Sequence, residues 1–71
     1  MNRNYLLYVI HDRGSTLQET SKILGIAYAT LSRKLNEKVN GSYLDEREMN
    51  VLANHYKMTD AEILKAFFNR D

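Results

Sequence analysis

The residues best equipped for chemistry lie in the middle of the chain. Between positions 20 and 41, Lys22, Arg33, Lys34 and Lys38 face a single acid, Glu37, a local excess of three positive charges in a chain whose net charge is only +1. The flanks offset it. Residues 1–19 balance Arg3 and Arg13 against Asp12 and Glu19, and residues 42–71 set Arg47, Lys57, Lys65 and Arg70 against six acids. A basic middle before an acidic last third can orient a domain toward a polyanion. By charge alone, a solvated surface of mixed charge accounts for the same pattern.

Other chemistries find no support. Cysteine is absent, which excludes disulfides and thiolate metal sites. His11 and His55 fall in different segments with no acidic or cysteine companion at ligand spacing, so no metal or cofactor is expected. Gly14, Gly25 and Gly41 are too far apart for a phosphate cradle. No activated nucleophile or tuned carboxylate pair is present, so the reading is not an enzyme. The longest apolar run, Tyr5 to Ile10, is too short to cross a bilayer; no membrane partner is expected, and the expected location is the cytoplasm.

The elements that must position the basic segment are marked by their ends. Thr16 precedes Glu19 by three residues, Asp45 precedes Glu48 and Thr59 precedes Glu62, and each pair has the spacing of a capping box. Leu44 with Met49 and Met58 with Ile63 have the spacing of hydrophobic staples. Gly14 and Gly25 stand where a left-handed residue closes a helix. These signals predict a first helix from about Arg3 to Arg13, with Leu6, Val9, Ile10 and Arg13 at helical spacing, and a second from about Leu17 to Leu24. A third lies between Gly25 and Asn36, a fourth runs from about Glu46 to Tyr56, and a fifth from about Asp60 to Asn69. The stretch from Asn36 to Leu44 reads as the long loop.

With 71 residues, 44% of them apolar, the chain makes one domain, residues 1–71, all-α with five short helices. Expected core residues are Leu31 and Leu35 of the third helix, Met49, Leu52, Ala53 and Tyr56 of the fourth, and Ile63, Leu64, Phe67 and Phe68 of the fifth. Tyr5, Tyr8, Tyr43 and Tyr56 read as partly buried rings with hydroxyls in water. Phe67 and Phe68 point about 100° apart, so one fills the core while the other faces outward. That outward ring fits core packing or a subunit contact, a homodimer through the last helix.

Only Gly25, Ile26 and Ala27 separate the second and third helices, which is the plan of a helix-turn-helix. Ser21 is small where the helices cross, Gly25 turns the chain, Ile26 plugs the turn, and Leu31 and Leu35 anchor the third helix. Its opposite face, Tyr28, Ala29, Ser32 and Arg33, is left to solvent, where a major groove could receive it.

The stretch TLQETSKILGIAYATLSRKLN, Thr16 to Asn36, resembles the motif of the lambda-repressor-like family, the Cro and repressor domains of temperate phages and their bacterial relatives. Leu52-Ala53 and Met58-Thr59-Asp60-Ala61-Glu62-Ile63 resemble that family's fourth and fifth helices. The resemblance implies a five-helix DNA-binding domain that regulates transcription by holding operator DNA. It implies base contacts from Tyr28, Ala29, Ser32 and Arg33, with Arg33 donating two parallel hydrogen bonds to a guanine. It further implies phosphate contacts from Lys34, Asn36, Lys38 and Asn40, and from Lys22 and Thr30. Leu17, Ala27 and Tyr28 depart from the family pattern, which has a glutamine and a capping serine at the first two positions. The more apolar surface that results would suit a protein partner. The resemblance extends to small phage antirepressors, or modulators of repression, and implies as the alternative partner a co-encoded repressor protein.

If Gly25 holds a left-handed conformation, Gly25→Val should cost about 1–3 kcal/mol. Thermal melting followed by circular dichroism would show it, and an unchanged midpoint would remove the turn from this reading.

Overall fold

The computed structural model describes residues 1–36 and 44–68, which form five helices and no strand among the described residues. The predicted loop, with Lys38, Asn40, Gly41 and Tyr43, lies outside them. Helix α1 is Arg3–Asp12, α2 Leu17–Leu24, α3 Tyr28–Leu35, α4 Glu46–His55 and α5 Asp60–Ile63, the last continuing as a π-helical turn over Leu64–Phe68.

The helix starts follow local chemistry. Asp45 and Thr59 form complete capping boxes with Glu48 and Glu62. Thr16 accepts from the Glu19 N–H at 3.1 Å, but Glu19 does not reach back to the cap amide and instead takes the Thr16 hydroxyl at 3.4 Å, so that box is half made. A cap not read from the sequence opens α1, where Asn2 Oδ1 accepts from the Tyr5 N–H at 2.9 Å.

Three helices end in the same way. Gly14 at φ +73° and Gly25 at φ +71° each close a pair of bonds back into the last turn, a Schellman motif. At the second of them, Gly25 N–H donates to Lys22 O at 3.1 Å and Ile26 N–H to Ser21 O at 3.0 Å. Lys57 does this after α4 at φ +52°, with Met58 N–H donating to Ala53 O at 2.9 Å. A Cβ at Gly25 would touch nothing, so the demand for glycine there comes from the backbone angle alone.

The core draws on every helix. Leu6, Val9, Ile10, Leu24, Leu31, Leu35, Leu44, Leu52, Tyr56, Met58, Ala66 and Phe67 are all buried, with Met49, Ala53 and Ile63 packed at its edge. The last helix departs from expectation. Ile63, Ala66 and Phe67, at i, i+3 and i+4, share the side that meets the core, which leaves Leu64 and Phe68 exposed rather than buried. The Ala66 carbonyl accepts from the Asn2 N–H at 2.8 Å, which ties the π turn to the start of α1.

Two tyrosines also differ from their reading. Tyr8 is exposed, and Tyr56 is buried with its hydroxyl between Thr20 Oγ1 and Ser15 Oγ, at 2.8 Å from each. The Thr20 hydroxyl proton goes to Thr16 O at 2.8 Å, so Tyr56 must donate to Thr20, and Ser15 in turn donates to Tyr56. This chain joins the end of α4 to the start of α2.

Arg13 makes the other long-range tie. One nitrogen donates to both Glu62 oxygens at 2.7 and 2.9 Å, and Nε donates to Tyr56 O at 3.3 Å. Its hydrogen bond is the main reason that the Glu62 carboxyl lies below its ordinary range, and the Thr59 N–H adds to the effect. A lowered folded value means stability present above the ordinary carboxylate range and lost as acid protonates Glu62. Wild-type stability should therefore fall from about pH 5 downward, and Glu62→Gln, less stable at neutral pH, should show a flatter acid limb. Denaturant titrations across that range check this; parallel curves for the two proteins would contradict it.

Candidate nucleic-acid interface

Helix α3 has only eight residues, and two of them, Leu31 and Leu35, are fully withdrawn from water. Their i and i+4 spacing places both on one side, against α2 and the core. The other side is exposed over Tyr28, Ala29, Ser32 and Arg33, the four residues read as a base-contacting face. Tyr28 is half exposed, at 51%. The Arg33 guanidinium stands in solvent in the last turn, where its charge also suits the helix dipole.

The residues expected at phosphate are placed less uniformly. Lys22 is exposed on α2, Thr30 is half-buried on the flank of α3, and Asn36 is exposed as the C-cap, its N–H donating to Arg33 O at 3.1 Å. Lys34 is held inside the fold, with Nζ at 2.9 and 3.0 Å from the two Glu48 oxygens. Lys38 and Asn40 lie outside the described residues.

The opening turn of α3 has no side-chain cap. Ala27 already has the extended backbone of an N-cap, φ −69° and ψ 149°, but no oxygen to offer, so the amides of the first turn stay available to an anion. Beside this end lies a shallow groove between His11, Thr16, Leu17, Gln18 and Tyr28. Leu17 and Tyr28 were legible as the apolar part of that surface. His11 and Gln18 were not assigned to it; the one signal that could have found Gln18 is its place as a polar amide in the first turn of α2. Glu48 was read only as half of a capping box, because no spacing in the sequence pairs it with Lys34.

No site for a metal appears among the described residues: they contain no group of three or more histidine or acidic side chains able to hold an ion. No helix among them is long and apolar enough to cross a membrane.

A tight turn at Gly25, a buried Leu31–Leu35 stripe and an exposed polar face on α3 define a helix-turn-helix domain built from helices α2 and α3. The family model for the Cro/C1-type HTH DNA-binding domain matches residues 5–68, and the chain belongs to that family, as a small DNA-binding transcriptional regulator. No curated protein and no solved structure matches it.

The bare N-cap gives a direct test of the local energetics. Ala27→Ser should stabilise the fold by about 0.5–1 kcal/mol, because the backbone is already in cap geometry and only the hydroxyl acceptor is missing. Chemical denaturation measures this, and no gain would mean that the first-turn amides are already satisfied.

Proposed function

We propose that this protein is a switch component of a phage or prophage, acting in the cytoplasm by setting α3 into the major groove of operator DNA. The observation that carries the reading is Arg33, exposed on the outer face of a rigidly packed helix and with no ion-pair partner among the described residues. A guanidinium so placed can donate two parallel bonds to guanine O6 and N7. Tyr28, Ala29 and Ser32 share its face, and Ala29 can pack on a thymine methyl. Lys22, Thr30, Asn36, Lys38 and Asn40, with the free amides at the start of α3, supply the phosphate-facing groups. The likeness to phage Cro and repressor domains supports the genetic setting.

Operators read by such domains are commonly two-fold symmetric, which calls for a dimer. Phe68 at 64% exposure, Leu64 at 57% and Tyr8 at 58% give the joined chain-end helices an apolar surface for it.

One observation favours a second reading, an antirepressor that grips a co-encoded repressor. Tyr28 is half exposed beside Leu17, and an aromatic at the lip of a groove is a common anchor in protein interfaces.

The two readings predict opposite orders of effect. Against operator DNA, Arg33→Ala should cost roughly 1–3 kcal/mol and relax specificity at one base pair, while Tyr28→Ala costs less. Against a co-encoded repressor, Tyr28→Ala should cost about 2 kcal/mol or more and Arg33→Ala little. Titrating both variants against both ligands decides. If Tyr28→Ala abolishes repressor binding and neither variant changes DNA binding, operator recognition is wrong.

A further inference from the structure

Glu48 is the one charged residue that is buried among the described residues, 2% exposed. Its carboxylate is fully engaged. Lys34 Nζ donates to Oε1 at 2.9 Å and Oε2 at 3.0 Å, and the Asp45 N–H donates to Oε1 at 3.0 Å. The Glu48 N–H in turn donates to Asp45 Oδ1 at 2.7 Å, so the capping box that opens α4 also fixes the acid in place. A carboxylate at this depth requires a cation, and losing that partner would leave a buried charge uncompensated. Lys34 is therefore held by more than surface attraction, and its side chain is itself only 24% exposed.

The position of Lys34 gives the pair a consequence for the exposed face. Helix α3 packs on α2, and the Lys34–Glu48 pair adds a charged contact between its flank and α4. Lys34 follows Arg33 directly, and successive helical side chains diverge by about 100°. Lys34, held against α4, thus leaves the helix well away from Arg33.

Resting on the DNA reading above, we propose that Glu48 is the internal counterion of the recognition helix: it holds the Lys34 ammonium against α4 and removes Lys34 from the cations that meet DNA phosphate. The motif position of Lys34 would otherwise count it among the phosphate ligands.

The test pairs a binding measurement with a spectroscopic one. Wild type and the Lys34→Met, Glu48→Gln double variant, which have equal net charge, are titrated against a fluorescein-labelled duplex of mixed sequence over a salt series. Each cation on phosphate contributes about 0.9 to the slope of log affinity against log salt. Equal slopes are expected. A slope shallower by about 0.9 in the double variant would show Lys34 leaving Glu48 for phosphate, which overturns the proposal while the DNA reading stands. Side-chain ammonium resonances of the wild-type protein supply the second readout. Lys34 should give a distinct, slowly exchanging signal in the free protein that keeps its position when duplex is added and disappears in Glu48→Gln. A Lys34 signal averaged like those of exposed lysines would overturn the proposal even if the double variant does not fold. Failure of wild type to bind the duplex would count against the DNA reading, and the free-protein resonance would still decide whether Glu48 holds Lys34.

Discussion

Everything in this domain depends on burying one side of an eight-residue helix. Isolated helices shorter than about 12–15 residues are marginal in water, so α3 exists because Leu31 and Leu35 are taken out of it. The burial requires α2 to arrive at a fixed angle, which Gly25 provides at φ +71°. Once Leu31 and Leu35 face inward, helical geometry leaves Tyr28, Ala29, Ser32 and Arg33 facing outward. The exposed face is thus a consequence of the packing.

Polar ties then make a small core specific. The Tyr56 hydroxyl joins α4 to the first turn of α2 through Thr20 and Ser15, and Arg13 binds the end of α1 to Glu62 at the start of α5. Lys34 and Glu48 do the same between α3 and α4. Two of these ties use the acid of a capping box, so one carboxylate both starts a helix and anchors it to another. No buried side-chain polar atom is left without a partner among the described residues. A chain of 71 residues has little apolar area to spare, and such doubled use of each polar group helps to give it a single arrangement.

Much of this was legible in the sequence, for reasons that are local. Caps, staples and left-handed glycines act within a few residues, so α2 was placed residue for residue and α4 to within one. Two signals misled. The half-made box at Thr16 has the same spacing as the two complete ones, and the apolar pairs Ile63-Leu64 and Phe67-Phe68 read as one broad inward face although only Ile63 and Phe67 of the four share the core side, with Ala66. The outward face of α3 followed from spacing, whereas the engagement of Lys34 did not. Its partner lies 14 positions away on another helix, and only tertiary packing brings the two together. The same holds for Tyr56, whose partners Ser15 and Thr20 are far away in sequence.

The central claim is that α3 is the surface that meets DNA. Amide chemical-shift mapping tests it most directly, with the labelled protein titrated against a duplex from its own promoter region. The account predicts shifts concentrated on Lys22, on the first-turn amides from Tyr28 to Thr30, and on Ser32 and Arg33, with α1 and the π turn at Leu64–Phe68 little changed apart from any dimer contact. Shifts confined to α1 and the last helix, with α3 unmoved at saturating duplex, would contradict it.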